Sequence, residues 1–413
     1  MRAQDLTPRL EAHLDLPAAV ALLRRIVGHA SVTGAEAGVA GALAEELRAI
    51  GAEAVTLRDF APGRPNAWGR RAGAAGGPHV LLVGHTDTVH VRGWRERWVG
   101  TERADPFGGA IVDGELWGRG AADLKAGLCT AIEAVRLLDR ARVPLAGPVT
   151  FAFVGDEESG EPGSGISAGM RAFARTIADG ETPKPDFAIY VEPTQLDVYV
   201  AQMGFFIAEL TITGRSAYFG VPEQGVDALR AAHMVLSALW AHGAAIEAGP
   251  SHPLIGRSFL LVTAIEGGGF IAVPGECRLS LIRKLRPGES LDAARAALEA
   301  AIRGAPVDPG IAIAFRYPAG RDHPVGGTPT EVDPASPQVR RLRACAGAAA
   351  PDRARPAGAP FWSEAPFLTA LGVPTVYFAP GDIRICHTLE ERVPIDEYRR
   401  GILGLAAFLA GAE

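Results

Sequence analysis

The chain is poor in cysteine, in one-sided charge and in long apolar runs, and each shortage excludes a class of function. Its 413 residues include 4 cysteines, and Cys129, Cys277, Cys345 and Cys386 are far apart with no C-x-x-C pair. Neither a thiolate zinc site nor a disulfide framework is expected, so any metal must be held by His, Asp and Glu. No run of about 18 apolar residues could span a bilayer, and the opening MRAQDLTPRLEAHLDL has no signal-peptide-like apolar segment. A cytoplasmic protein is expected. The 41 basic and 47 acidic residues leave a net charge of −6 without long runs of either sign. That pattern offers no footprint for nucleic acid or an anionic membrane, so the expected partner is a small-molecule substrate.

What is present is apolar mass. With 48% hydrophobic residues over this length, the chain can bury more than one core, and two domains are expected. Residues 17–30 and 34–50 repeat apolar positions at helical spacing, with Gly51 placed to end the second helix. A Gly/Arg-rich connection at 61–78 follows. Then come HVLLV (79–83), VTFAFV (149–154), DFAIYV (186–191) and PTVYF (374–378), each closed by turn or polar residues. Continuous apolar runs separated by helical segments predict strands buried on both faces of a mostly parallel α/β sheet.

Between them the pattern changes. FFIAELTIT, VDALRAAHMVLSALW, RSFLLVTAIE, GECRLSLIRK, SLDAARAALEAAIR and IAIAFRY read as β-α-β-β-α-β, the ferredoxin-like order. The predicted organisation is therefore an α/β domain in two parts, 1–204 and 318–413, with an α+β insertion at 205–317. The Gly/Pro/Ala-rich stretch 346–360 is expected to be a mobile loop.

Ligands in open α/β sheets gather beyond the carboxyl ends of the strands, and the polar residues fall there. His85 and Asp87 follow the first run, Asp156, Glu157 and Glu158 the second, and Glu192 the third. Asp123 in GRGAADLKAGL and His387 in ICHTLEERVPIDEY complete the group. Alone, each has an ordinary reading: a loop histidine, acids at a helix start, an N-cap. Together, two imidazoles and several carboxylates suit zinc, cobalt or manganese. They suit a two-ion site in which one carboxylate bridges ions about 3.5–4 Å apart.

HTDTV, GRGAADLKAG, GDEESG, VEPT and CHTLEERV, in this order and at these separations, resemble the signature of the dinuclear-zinc peptidase family. That family includes acetylornithine deacetylase, succinyl-diaminopimelate desuccinylase, aminoacylase-1 and glutamate carboxypeptidase. The resemblance implies a metallopeptidase-type catalytic domain with an inserted lid that also forms a homodimer. It implies that His85 and Glu192 hold one metal, that Glu158 and His387 hold the other, and that Asp123 bridges them. Asp87 would hydrogen-bond the His85 imidazole and fix its tautomer. Glu157 would be the general base, taking a proton from the attacking water and passing it to the departing nitrogen. The implied activity is hydrolysis of a C–N bond, most directly an amide of an N-acyl amino acid or dipeptide-like molecule.

The insertion departs from the family pattern. GRSAYFG puts Tyr218 where the family has a lid histidine that stabilises the oxyanion across the dimer; a phenol can donate one hydrogen bond there but carries no positive charge. GGGFIAVP puts Ile271 at an asparagine, beside Phe270. IRKLRPG puts Ile282 and Lys284 at the family's Asp and Arg, with Arg283 one residue away. The family's asparagine and arginine in these positions commonly hold a substrate carboxylate. Phe219, Phe270, Phe361 and Trp362 suggest an apolar wall for a flat or aromatic substrate. Two other readings follow: an aminohydrolase that releases ammonia from an activated aryl amine, or a ligand-binding protein that has lost turnover.

Overall fold

The four apolar runs pair directly in the computed structural model, which describes residues 1–158 and 165–413. Val80–His85 is buried throughout and runs parallel to Val149–Val154 on one side and Phe187–Tyr190 on the other. Thr375–Tyr377 adds parallel to Phe187–Tyr190. Apolar side chains on both faces explain the unbroken hydrophobic pattern of these strands. The sheet order is Glu53–Ala61, Arg64–Arg71, Val149–Val154, Val80–His85, Phe187–Tyr190, Thr375–Tyr377, Val198–Gln202.

The stretch read as a Gly/Arg-rich connection contains the strand Arg64–Arg71, antiparallel to both neighbours. Its arginines mark the ends; the middle, Pro65 to Gly69, is buried. The stretch 346–360, expected to be a loop, instead continues the helix Pro337–Ala349 and then forms the strand Pro356–Ala359. Its alanines are good helix formers, and Ala346, Ala350, Ala354 and Ala359 are buried.

The helix Ala126–Ala141 follows the GRGAAD turn and buries most of its surface. It packs on Ile395–Leu409, which also covers Pro337–Ala349 and Ala3–Glu11. The two early helices are Leu16–Val27, capped by Asp15 on the Ala18 amide at 3.1 Å, and Ala37–Ala49. Gly51 follows the latter with φ 69°, the left-handed turn that glycine adopts without penalty.

The chain divides into two compact units: 1–200 with 332–359 and 363–413, and 201–331 with 360–362. The second unit contains Gly204–Thr213, Ala228–Glu247, Phe259–Gly267, Glu276–Leu285, Leu291–Arg303 and Ala312–Arg316 in that order. Its antiparallel sheet runs Phe259–Gly267, Glu276–Leu285, Gly204–Thr213, Ala312–Arg316. This is the ferredoxin-like arrangement. Asp227 caps its long helix through the amides of Leu229 and Arg230 at 2.9 and 3.0 Å. No helix among the described residues is long and apolar enough to cross a membrane.

Candidate active site

Strand register builds the site. His85, last in its strand, pairs with Val154, and Val83 pairs with Tyr190. The residues just beyond these pairs, Glu157, Glu158 and Glu192, therefore leave the sheet at the same edge as His85. Asp123 arrives from the turn before Ala126–Ala141, and its side chain caps no helix. His387 lies in the loop between Ile383–Ile385 and Arg392–Pro394, with φ 63°.

Two triads form around Asp123, the first with His85 and Glu192 and the second with Glu158 and His387. His85 Nε2 is 3.1 Å from Asp123 Oδ1 and 3.8 Å from Glu192 Oε1. His387 Nε2 is 3.1 Å from Asp123 Oδ2 and 3.0 Å from Glu158 Oε1. Each oxygen of one carboxylate thus faces a different imidazole. In each triad the donor atoms lie within 4.8 Å of one another. Donors about 2.0–2.2 Å from a tetrahedral zinc would stand only about 3.3–3.6 Å apart, so a small contraction would seat an ion.

Electrostatics favour the same occupant. Burial works against a charged His85, but the Asp123 hydrogen bond and the charge of Glu192 hold its pKa well above the ordinary value. Burial likewise opposes His387, and its bonds to Asp123 and Glu158 lift it to about 11. Glu192 is pushed up to about 8 by burial, with Asp123 and Glu158 adding repulsion. Burial would also raise Asp123, yet the two imidazoles bring it below the usual carboxylate range. Buried carboxylates crowded in this way need compensating positive charge. Protons on the histidines supply it in the metal-free protein, and the donor set fits a divalent cation in their place.

Asp87 acts differently from expectation. His85 Nδ1 meets the backbone carbonyl of Asp87 at 2.9 Å, whereas the nearer carboxylate oxygen is 3.9 Å away. The carboxylate is drawn off by the amides of Glu157 and Glu158, at 3.2 and 2.9 Å, and by the Thr33 hydroxyl at 3.0 Å. The backbone of Asp87 meets the imidazole, and its side chain tethers the loop bearing the two glutamates. Burial raises the Asp87 carboxyl to about 6, against the pull of His85. Glu157 is also raised well above the ordinary value, first by burial and then, against His85, by Glu158, Glu192 and Glu364. An elevated carboxyl suits proton transfer near neutral pH. Ser159 and Gly160, which end the GDEESG motif, lie outside the described residues.

Two neighbours escaped the sequence reading. Ser363 donates from Oγ to Glu192 Oε1 at 2.8 Å, and the buried Glu364 accepts from the Tyr190 hydroxyl at 2.7 Å. The signal was a polar pair inside the apolar run PFWSEAPF. Burial raises Glu364 to about 7.

The remaining expected residues lie in the second unit. Tyr218 is 62% exposed, meets Phe219 in a tilted ring contact with centroids 4.6 Å apart, and bridges to Ala272. That bridge brings it to the segment of Phe270 and Ile271, which are 94% and 54% exposed. Ile271 has φ 58°, a strained conformation for a β-branched residue and one that the family's asparagine tolerates better. Trp362 packs edge-on against Phe205. Arg283 is buried and commits its guanidinium to Glu289 at 2.6 Å and to the Lys284 carbonyl. Lys284 donates to the Ile255 carbonyl at 2.7 Å. Both cations therefore have partners inside the unit.

Known proteins resemble this chain in sequence and in fold. Succinyl-diaminopimelate desuccinylase of Methylobacterium nodulans is 30% identical over 277 residues, 64% of this chain, and the match spans 65% of that relative's length. Acetylornithine deacetylase of Myxococcus xanthus is 28% identical over 352 residues, 80% of this chain and 79% of the relative. The crystal structure of aminopeptidase PepT from Bacillus cereus superposes with a TM-score of 0.74 at 19% identity, covering 96% of this chain and 99% of that one. Residues 81–411 match the peptidase family M20/M25/M40, and the chain belongs to that family.

Proposed function

We propose that this chain is a metal-dependent hydrolase that cleaves a C–N bond, most directly the amide of an N-acyl amino acid or dipeptide-like small molecule. The observation that carries this reading is the division of Asp123 between His85 and His387, one carboxylate oxygen to each. His85 and Glu192 would hold one ion, Glu158 and His387 the other, and Asp123 both; zinc is the default, with cobalt or manganese suited to the same donors. When bound, such a pair of ions polarises a substrate carbonyl and acidifies water. Glu157 takes the proton from the attacking water and returns it to the leaving nitrogen. Asp87 keeps Glu157 and Glu158 in register through their amides. The desuccinylase and deacetylase relatives support this reaction class.

The second unit is proposed as lid and homodimer contact, and the protein as cytoplasmic. Tyr218 would donate the hydrogen bond that a lid histidine gives elsewhere in the family, and Phe270 and Ile271 would meet the substrate. Arg283 and Lys284 would reach a substrate carboxylate only by giving up Glu289 and the Ile255 carbonyl. A second reading, ammonia release from an activated aryl amine, draws on the exposed Tyr218–Phe219 pair and Phe270 in place of charged groups.

The test is turnover of N-acyl amino acids, dipeptides and aryl amines by metal-stripped protein refilled with zinc, cobalt or manganese, with Tyr218→His alongside. Amide cleavage that appears only with metal is the expected result. Inertness of the refilled protein towards every amide, with ammonia released from an aryl amine, would shift the assignment to the second reading.

A further inference from the structure

The motifs contain one buried ion pair with no role in the chemistry just described. Arg119 of GRGAAD and Glu391 of HTLEERV form an ion pair with side chains 2% and 1% exposed. Pairs so deeply buried add little net stability, because desolvation offsets the attraction. What they fix is geometry, and here the bonds radiate to the loops that carry the candidate metal ligands. Glu391 Oε1 accepts the amides of Ala122 and Asp123 at 3.2 and 3.1 Å, and its Oε2 accepts Arg119. Arg119 also donates to the carbonyl of Thr388 at 3.0 Å and to that of His90 at 3.2 Å. The Trp94 ring lies 5.5 Å from its guanidinium. One planar fork and one carboxylate therefore tie together the Asp123 turn, the residue after His387, and the segment that follows His85.

We infer that the Arg119–Glu391 pair is the positioning element that sets the Asp123 carboxylate against the His387 imidazole. The inference rests on the two-ion reading above. His387 belongs to no strand or helix, and its side chain is 54% exposed, so its own packing does little to fix it. Its four-residue separation from Glu391 makes the loop short. The backbone of Asp123 and the loop of His387 are thus held by the same carboxylate. Arginine is needed because its fork reaches three acceptors in one plane, which a lysine ammonium on a flexible stem cannot do.

The experiment is Co²⁺ titration of the metal-stripped full chain, read by visible absorption and by calorimetry. It compares the parent, Glu391→Gln, Arg119→Lys and, as a control, Glu46→Gln, which removes charge from another ion-paired site with Arg25 and Arg136. The expected result is two ions bound by the parent. In both Glu391→Gln and Arg119→Lys, at least one ion should bind about 10–100-fold more weakly, as for other partners behind metal ligands, with an altered absorption band. Glu46→Gln should lower the melting temperature and leave the cobalt affinities and band unchanged. The inference is overturned if folded Glu391→Gln and Arg119→Lys bind both ions with the parent's affinities and spectrum, or if Glu46→Gln weakens binding equally. Should Glu391→Gln fail to fold, Arg119→Lys carries the same comparison. A parent that takes up no Co²⁺ would sink the two-ion reading itself, an outcome distinct from parental binding in the variants.

Discussion

At the scale of residues, three consecutive acids have three different surroundings. Asp156 turns away with φ 73°, pairs with Arg64 at 2.8 Å and accepts the amides of Gly165, Ile166 and Ala168. Glu158 faces His387, and burial holds the Glu157 carboxyl well above its ordinary pKa. The sequence placed all three at a strand end, but which acid faced which partner depends on backbone angles that no motif encodes. Asp87 makes the same point, since its position was legible and its mode of contact was not. Replacing it tests that contact. In Asp87→Asn a single acceptor oxygen must replace two, so at least one of the Glu157 and Glu158 amides loses its bond. A loss of about 1–3 kcal/mol in stability and a fall in kcat are expected, measured by urea denaturation and steady-state kinetics. An unchanged kcat would show that the tether is dispensable. Proton linkage gives a further test. Without metal, His387 keeps its proton up to about pH 11 and Glu192 up to about 8, whereas both must lose it to ligate an ion. Metal binding therefore releases protons, and the folded apo form binds more of them than the unfolded chain does between about pH 6.5 and 11 at His387. Its stabilising share from His387 is complete below about 6.5 and fades as pH rises towards 11. The gap in Tm between metal-loaded and chelator-treated protein should widen from pH 6 to pH 9; a constant gap would contradict this.

At the scale of elements, the parallel strands were readable because burial on both faces leaves an unbroken apolar run, and the inserted unit because its order of strands and helices is distinctive. Arg64–Arg71 was not readable, since its terminal arginines hide a buried centre. Close approach was also invisible. Gly127, near the start of Ala126–Ala141, sits where an added Cβ would meet the Val191 carbonyl oxygen at 2.1 Å and Val191 Cβ at 2.9 Å. Val191 immediately precedes Glu192, so this glycine lets the helix lie against the chain that delivers a candidate ligand. Gly127→Ala should push helix and strand apart and cost about 1–3 kcal/mol, although alanine is the better helix former. Chemical denaturation reads the first effect, and a weakened cobalt affinity would report displacement of Glu192. A stability gain would mean that the two backbones can separate without strain.

At the scale of the whole molecule, the main segment of the second unit, 201–331, leaves and rejoins the first unit's chain at neighbouring residues, while 360–362 belong to it later in the sequence. The Val332 amide donates to the Val200 carbonyl at 2.7 Å, so the ends of the first unit's chain already touch where 201–331 departs. Excising that segment and joining Val200 to Val332 through a short glycine-rich turn should leave a folded first unit that still binds Co²⁺, checked by circular dichroism and metal titration. Aggregation without metal uptake would show that the sheet depends on the insertion. The composition forecast two domains, but this adjacency could come only from the three-dimensional path of the chain. Its consequence is historical. A segment whose two ends meet at a single hydrogen-bonded step can be exchanged while the strand that ends at His85 and the strand that precedes Glu192 keep their register. A lineage built this way can vary one segment while the rest of the chain keeps its path.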